Sequence, residues 1–294
     1  MRLFELLATA ACGLAASSAV AAGQTADRFA ATDAAFEQVR TGIEAAGFSE
    51  ELQIDHARLG QQAGRSMPAA RVVLFSDPAV SAPLLAENIR TGLDLPFRVL
   101  AYQSDPDAAV MYTDARFLEL RHGLQPGPAL AAFDAALGRA LARVDGPAIS
   151  AVPTSGLERN QGIVELESDF GFEATLERLK AAVAAQSDTV WFGEIGFQQA
   201  AAGQDVRIRP ARLLLFGGPA PGAVAMAAFP SIGLDAFCQK LYVYQDDSGS
   251  VRVLFNSIVA LAELHYGRSI EPHRLLDQRL QGTFEKAVRN SPGR

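Results

Sequence analysis

The sequence predicts an α+β protein built from two tandem two-layer sandwiches, each a mainly antiparallel sheet backed by helices. Three observations lead to this prediction. Short motifs recur in the same order about 141 residues apart, short apolar stretches alternate with helical patterns, and turn residues separate neighbouring strands. The chain has 294 residues, of which 49% are hydrophobic, so it is long enough to bury a core in each of two domains.

The repeat is clearest in two apolar stretches that end in proline. Residues 71–78 (RVVLFSDP) match residues 212–219 (RLLLFGGP) at an offset of 141, and His122 matches His265 at an offset of 143. An offset that grows by single residues between elements indicates a duplication followed by insertions in loops. The intervening stretch is rich in Gly and Pro. We therefore expect domains and a linker with these bounds: first domain 27–145, linker 146–159, and second, diverged domain 160–290.

An apolar stripe predicts an early helix in each copy. Phe36, Val39 and Ile43 are spaced by three and four residues, and the stripe ends at Gly47. The equivalent helix of the second copy covers residues 171–185. A strand is expected after each of these helices.

A buried strand, a helix, a hairpin and two closing helices follow in each copy. Residues 72–75 (VVLF) and 213–216 (LLLF) are short and apolar, and Pro78 and Pro219 stand at the first position of a helix. The hairpins and closing helices are predicted at 97–103 with 109–113, 114–122, 128–144, 238–245 with 251–255, 257–266 and 272–288. With a short opening strand, the order is β-α-β-β-α-β-β-α, which favours a sheet backed by helices over a parallel nucleotide-binding sheet.

The amino-terminal stretch predicts export. Met1 and Arg2 precede a run of mostly Leu and Ala, and small residues offer cleavage after Ala21 or Ala22. We expect a signal peptide at residues 1–22 and a periplasmic or secreted protein. An uncleaved membrane anchor and lipidation at Cys12 are the alternatives.

The charge pattern excludes two classes of partner. The net charge is −7 and the sequence contains no run of Lys or Arg. Nucleic acid and anionic lipid both require a basic patch, so neither is expected as a partner, and no membrane contact is expected after signal cleavage.

Further motifs mark the two copies unequally. In the first copy they are residues 54–57 (IDHA), 74–78 (LFSDP), 92–96 (GLDLP), 112–114 (YTD) and 121–124 (RHGL). The second copy keeps residues 215–219 (LFGGP), residues 233–235 (GLD) and His265, but Phe197 replaces His56. With these motifs each copy resembles the bacterial family known as domain of unknown function 302. The resemblance implies a compact α/β module that tends to pair, with no established reaction.

Two histidines of the first copy are candidates for acid-base or metal chemistry. His56 and His122 are chosen because imidazole titrates near neutral pH and binds transition metals. Asp55, Asp94 and Asp114 are candidate partners for these rings. The spacing matches neither His-Glu-x-x-His nor paired Cys/His motifs, so no metal or cofactor is predicted.

The recurring residues also have structural explanations. His122 and His265 stand where helices end near a Gly, and a cation there favours the helix dipole. Asp94 and Asp235 recur in Gly-Leu-Asp turns, whose amides their carboxylates are predicted to satisfy. If instead these residues are functional, His265 and Asp235 are the binding candidates of the second copy. His273 is predicted to lie on a helix surface.

Two hypotheses about function remain open. The first is an exported, non-catalytic binding module whose copies pack as an intramolecular pseudo-dimer and hold a small molecule or an envelope protein at their junction. The absence of any recognisable reaction motif favours it. The second is an enzyme with a site in the first domain only, in which Asp55 or Asp94 orients His56 and His122 is a second imidazole or metal ligand.

Overall fold

The protein is described by a computed structural model that covers residues 12–105 and 107–290, with side chains from Arg28 onward. These residues form two five-stranded sheets, each backed by helices, so the predicted α+β class is confirmed. The predicted signal peptide lies at residues 1–22. Residues 1–11 are outside the described part and only backbone is described for the rest, so the signal peptide stays a prediction.

The first copy contains one sheet with the strand order β1-β2-β3-β4-β5. Its elements in chain order are α1 (Cys12–Ala45), β1 (Ser49–Asp55), α2 (His56–Gln62), β2 (Ala70–Ser76), α3 (Pro78–Glu87), the first 3-10 helix (Ile89–Leu93), β3 (Phe97–Ser104), β4 (Asp107–Tyr112), α4 (Ala115–His122), α5 (Pro128–Leu141) and β5 (Ala148–Ala151). Neighbouring strands are antiparallel except β4 and β5, which are parallel.

The second copy contains one sheet with the strand order β6-β10-β9-β8-β7, and all its neighbouring strands are antiparallel. Its elements are β6 (Ile163–Ser168), α6 (Phe172–Ala184), β7 (Val190–Gly196), α7 (Phe197–Ala202), β8 (Ala211–Gly217), α8 (Pro219–Met226), the second 3-10 helix (Pro230–Leu234), β9 (Gln239–Gln245), β10 (Val251–Asn256), α9 (Ile258–Tyr266) and α10 (Glu271–Val288). None of the helices in the described part of the chain is both long and apolar enough to cross a membrane.

The two copies complete the same sheet edge differently. In the second copy the predicted opening strand is β6, which pairs antiparallel with β10. In the described part of the first copy the chain before β1 is helical, and the equivalent edge beside β4 is filled by β5. Strand β5 comes from the segment predicted as a linker. Its residues 148–151 (AISA) are mostly exposed, so the sequence lacks the apolar pattern that would predict a buried strand here.

Two short helices, α2 and α7, add to the predicted order of elements. Each begins directly after an edge strand, β1 or β7. Asp55 caps α2 because its carboxylate accepts a hydrogen bond from the Arg58 amide at 2.8 Å. This cap makes His56 the first residue of α2.

The hydrophobic core of each copy lies between its sheet and its helices. In the first copy the predicted stripe of Phe36, Val39 and Ile43 is buried on α1. The ring of Phe97 on β3 stacks on Phe133 of α5, with the ring centroids 4.4 Å apart. Burial of each such side chain stabilises the fold by about 1.5–3 kcal/mol.

The two copies contact each other along a surface that we call the junction. There α2 contacts α8 and α3 contacts α7, while β3 contacts the second 3-10 helix and β9 contacts the first. Exchange of the copies converts each of these contacts into its counterpart. Gly92 allows the close approach, because a Cβ at this position would overlap the ring of Tyr242.

Candidate functional site

A buried polar cluster lies at the junction, and we call it the junction cluster. Its members come from the ends of the 3-10 helices, from the central strands and from α4 and α9. Their side chains are all buried, although polar side chains are seldom found in protein interiors. The cluster consists of Asp94, Arg98, Arg121, His122, Asp235, Lys240, Asn256 and His265.

Asp94 is the centre of the cluster. Its Oδ1 accepts a hydrogen bond from Arg98 at 3.0 Å, and its Oδ2 accepts from Arg121 at 2.7 Å and from His122 Nε2 at 2.8 Å. Lys240 Nζ of the second copy lies 3.6 Å from Oδ1. Burial opposes ionisation, but the nearby cations and the His122 hydrogen bond hold the pKa of Asp94 well below its usual range.

Asp235 occupies the equivalent position in the second copy but has fewer partners. Its Oδ2 accepts a hydrogen bond from His265 Nε2 at 3.0 Å, while Oδ1 has no partner within the described residues. Burial raises its pKa, but the interaction with His265 outweighs this, so the net shift is downward. The prediction that Asp94 and Asp235 satisfy turn amides is wrong, because their carboxylates bind buried side chains instead.

Arg121 connects the two copies directly. Its Nη1 donates to Asp94, its Nη2 donates to Asn256 Oδ1 of the second copy at 2.8 Å, and its Nε donates to the Gln161 carbonyl at 3.0 Å. A guanidinium suits this role because its donors are arranged in a planar fork. Arg121 therefore ties a carboxylate of one copy to an amide of the other.

His122 is a neutral member of the cluster. Burial lowers its pKa despite the hydrogen bond to Asp94, and its Nδ1 has no hydrogen-bond partner in residues 28–105 and 107–290. The residue does end α4, and Gly123 follows with a φ of 65°. A neutral ring supplies no charge to the helix dipole, so the dipole does not explain this position.

His265 repeats the contact of His122 with an aspartate. Its Nε2 donates to Asp235, and its Nδ1 lies 3.3 Å from Ser231 Oγ. The helix α9 ends one residue later, at Tyr266. The sequence candidates Asp94 and His122 thus come together in one copy, and Asp235 and His265 come together in the other.

Within the described residues, His56 and Asp55 bond to other partners than these two Asp–His pairs. His56 Nε2 donates to the Gly233 carbonyl across the junction at 3.1 Å, and burial lowers the pKa of His56 to about 4. The Asp55 carboxylate instead forms ion pairs with Arg58 and Arg71. In the described part of the chain no hydrogen bond joins His56 to Asp55, Asp94 or His122. The predicted acid-base grouping around His56 is therefore not assembled through hydrogen bonds.

Two other predicted residues have structural positions. Asp114 caps α4 by accepting a hydrogen bond from the Phe117 amide at 2.8 Å. The prediction that His273 lies on a helix surface is wrong. Its ring is buried and donates to the Ala225 carbonyl at 2.9 Å, because His273 lies on the same buried stripe of α10 as Leu280 and Phe284.

Sequence reasoning missed the basic residues and the amide of the cluster. Arg98 and Lys240 are matched by the repeat and stand near the start of apolar strands, where a charge is unexpected. A charged residue in an apolar strand was therefore the signal that could have identified Arg98 and Lys240. Arg121 and Asn256 carried no such signal, because their contact depends on how the copies dock.

A small apolar cleft lies next to His56 at the junction. It is shared by the two copies and is lined by Ile54, His56, Leu59, Phe192, Ala223, Met226 and neighbouring residues. Cys238 also lines it, and burial raises the pKa of this thiol to about 11. At neutral pH the cleft therefore presents apolar groups, a neutral imidazole and a protonated thiol.

The described side chains offer little to a metal ion. Among residues 28–105 and 107–290 no three His, Cys, Asp or Glu side chains are grouped so that they would hold one. The Asp94–His122 and Asp235–His265 pairs each supply two such groups, and the other neighbours are cations or amides.

Comparison with known proteins yields one family and several partial relatives. The family model described as domain of unknown function DUF302 matches residues 25–144 and 164–287. A solved structure of an uncharacterized conserved protein DUF302 from Bacillus stearothermophilus is 17% identical, with a TM-score of 0.36, and the match covers 44% of this chain and 98% of that chain.

Curated relatives match over a shorter stretch. Proteins named fluoride-specific ion channel FluC 1, from Brucella suis biovar 1 (strain 1330) and Brucella abortus biovar 1 (strain 9-941), are each 30% identical over 90 residues. The match covers 30% of this chain and 35% and 33% of those proteins, respectively. This chain thus spans about a third of the length of the curated relatives it matches.

Proposed function

Because the chain belongs to the DUF302 family, with two copies in tandem, we propose that it is a non-catalytic binding module whose copies form an intramolecular pseudo-dimer. The main support for this proposal is that the side chains of the two Asp–His pairs are buried and do not face solvent. Asp94 and His122 are fully buried at the junction, where donors from both copies meet the Asp94 carboxylate. These residues hold the copies together rather than face a substrate.

The pattern of contacts supports the pseudo-dimer. The contact of α2 with α8 exchanges with that of α7 with α3, as expected when one surface patch of each copy packs on the same patch of the other. Arg121 and Lys240 contribute polar contacts from opposite copies. A buried ion pair across a contact surface specifies its register even where it adds little stability.

The enzyme hypothesis has weaker support from the geometry. A general base must lie within hydrogen-bond reach of the proton that it removes. The side chain of His122 is inaccessible, and the ring of His56 is already bonded to the Gly233 carbonyl. Neither imidazole offers a free nitrogen at an open pocket together with an aspartate.

The apolar cleft is the proposed ligand site. Concave apolar surfaces with few polar groups are the usual sites for small molecules. The lining includes residues of α2 in one copy and of α8 in the other, so a ligand in the cleft would contact both. We propose a small, mainly apolar molecule, bound after export through the predicted signal peptide into the periplasm or the medium.

Native mass spectrometry of the protein purified from the periplasmic fraction tests this proposal. We expect a co-purified small molecule on the wild-type protein and its loss in Leu59→Trp, because Leu59 lines the cleft and an indole would fill it. Val224→Trp is the matched control, since Val224 lies on α8 and is 42% exposed. Retention of the molecule in Leu59→Trp, or its chemical turnover on incubation, would overturn the proposal. Cytoplasmic accumulation of the full chain would contradict export.

A further inference from the structure

A second concave surface lies at the junction, and it is larger than the apolar cleft. We call it the arginine cleft, because Arg90, Arg207 and Arg209 line it. Its volume is about 500 Å³, which is room for roughly fifteen water molecules at about 30 Å³ each. It shares no lining residue with the apolar cleft. Clefts of about 300–1,000 Å³ between domains are common binding sites for small molecules.

The two walls of the arginine cleft come from different copies. The first copy supplies the end of α3 and the start of the first 3-10 helix, residues 85–90. The second copy supplies the segment before β8, residues 207–209, and the end of β9 with the turn that follows it, residues 244–247. Four charged residues of these walls are exposed: Glu87, Arg207, Arg209 and Asp247. A molecule in solution therefore has direct access to them.

Two guanidiniums of the cleft lack an anionic partner. Arg207 forms no hydrogen bond or ion pair with any described residue, and Arg209 has one hydrogen bond in that part of the chain, to the Asp247 carbonyl at 3.3 Å. Arg90 differs, because Glu165 compensates its charge at 2.6 Å. Carboxylates match the planar fork of a guanidinium. Arg207 and Arg209 are thus free to bind carboxylates of a ligand.

The carboxylates of the cleft are divided in the same way. Asp246 is compensated, because its Oδ2 accepts a hydrogen bond from Arg252 at 3.0 Å. Glu87 accepts one hydrogen bond, from a backbone amide, and neither Glu87 nor Asp247 forms an ion pair with a described residue. The contact of Arg209 with the Asp247 backbone keeps the Asp247 carboxylate near that guanidinium. The cleft therefore offers free positive and negative charges side by side.

The two free arginines distinguish the second copy from the first. At the offset of 141, Ser66 and Pro68 stand in place of Arg207 and Arg209. In the first copy, Arg28 of α1 covers this segment by donating to Ser66 Oγ at 3.2 Å. Helix α6 begins too late to do the same, because its first residue matches residue 32 of α1 at the offset of 140 that aligns the apolar stripes. The segment with the two arginines is therefore left open to a ligand.

We propose that the arginine cleft binds acidic α-amino acids, of which glutamate is the example used below. The ammonium and the carboxylate on one carbon of such a molecule match the neighbouring Asp247 and Arg209. Its side-chain carboxylate is left for Arg207, and Ile89 on the opposite wall provides an apolar contact for the methylene groups. The ligand thus contacts both copies. This inference does not rest on the proposed ligand of the apolar cleft.

Isothermal titration calorimetry of the full chain tests the proposal, at pH 7 and at low salt because exposed charges are screened by ions. L-glutamate is expected to bind. Glutarate, which lacks the ammonium, and 4-aminobutyrate, which lacks one carboxylate, are each expected to bind about tenfold more weakly. The proposal is overturned by an absence of L-glutamate binding at millimolar concentration. Equal affinity for glutarate or for inorganic phosphate also overturns it, because the cleft would then select only for negative charge.

Variants at exposed positions assign the binding to this cleft. Arg207→Gln and Arg209→Gln are each expected to weaken L-glutamate binding about tenfold, whereas Asp247→Asn should weaken the binding of L-glutamate but not that of glutarate. Arg65→Gln is the matched control, since Arg65 is an exposed arginine beside the equivalent segment of the first copy. Unchanged affinity in either arginine variant of the cleft would contradict the proposal.

One further variant separates this site from the apolar cleft. Leu59→Trp fills the apolar cleft and should leave the affinity for L-glutamate unchanged, even where the co-purified molecule is lost. Loss of L-glutamate binding in Leu59→Trp would place this ligand in the apolar cleft and overturn the proposal.

Discussion

The two copies have the same architecture but contribute differently to their shared junction. Asp94 of the first copy accepts hydrogen bonds from Arg98, Arg121 and His122, whereas the Asp235 carboxylate of the second accepts one, from His265. The first copy contributes permanently charged guanidiniums, and the second contributes a titratable amine. A duplicated fold can thus keep its packing while its buried charges diverge.

A second difference lies where the short helices begin. His56 starts α2 and forms a polar contact with Gly233, whereas Phe197 starts α7 and packs edge-on against Tyr242, with ring centroids 5.9 Å apart. Both residues are buried at the junction. The same position therefore carries a pH-sensitive contact in one copy and a purely apolar contact in the other.

The largest expected effect distinguishes the two aspartates. Asp94→Asn leaves three buried side chains without their anion and is expected to lower the free energy of unfolding by about 3–5 kcal/mol. Asp235→Asn removes one hydrogen-bonded partner and is expected to cost about 1–2 kcal/mol. Urea unfolding at pH 7, followed by circular dichroism, measures both. Equal losses of unfolding free energy in the two variants would contradict the asymmetry between the copies.

Arg121→Leu replaces a residue of the first copy with its counterpart in the second, Leu264. We expect a loss of about 3 kcal/mol, because Asp94 and Asn256 lose a buried partner. Arg116→Leu is the control, since Arg116 lies on the same helix with an exposed side chain, and it is expected to change stability by about 0.5 kcal/mol or less. A similar small effect for both arginines would mean that Arg121 does not join the copies.

The pH dependence of stability tests the titratable amine. The unfolded chain keeps Lys240 protonated up to the ordinary lysine pKa, whereas the folded protein releases this proton near pH 7. The unfolded state therefore binds more protons between these values, and the free energy of unfolding should rise by about 1–2 kcal/mol from pH 7 to pH 9. Lys240→Met should remove this rise, and Lys286→Met should keep it.

That measurement stops at pH 9 for a physical reason. The pKa of the buried Cys238 thiol is raised to about 11, so above pH 9 the unfolded chain loses a proton that the folded protein keeps. This contribution lowers stability with increasing pH and offsets the rise that the amine causes. An unchanged rise between pH 7 and pH 9 in Lys240→Met would show that Lys240 is protonated in the folded protein.

A comparable effect is expected in acid from His56. Burial lowers the pKa of His56 to about 4, so below pH 6.5 the unfolded chain binds a proton that the folded protein excludes. Stability therefore falls as the pH drops from 6.5 to 4. His56→Phe, which copies Phe197, should flatten this fall by about 2 kcal/mol. Thermal unfolding between pH 4 and pH 7 checks it, with Phe197→Tyr as a control that adds no titration in this range.

Much of the fold was predictable because it depends on near neighbours in the chain. The stripe of Phe36, Val39 and Ile43, and the helix starts at Pro78 and Pro219, follow from local periodicity and from the fixed φ of proline. Strand β5 was not predictable in this way. Its exposed residues pair with β4 only because the fold leaves that edge free.

The candidate site was predictable in its parts but not in its assembly. The repeat singled out Asp94, His122, Asp235 and His265. It did not indicate that each aspartate would bind the histidine of the same copy inside the junction. The repeat also did not indicate that Arg121 would donate a hydrogen bond to Asn256.

By itself, then, the sequence determined the duplication, the element types and the recurring residues, because these are written in patterns along one chain. Which side chains meet across the junction, and how they are protonated, depends on the packing of the two copies. Hydrogen-bond geometry and desolvation depend on atoms that are far apart in sequence. The pKa of Lys240 falls to about 7 because the amine is buried and because Arg98, 142 residues earlier in the chain, lies near it.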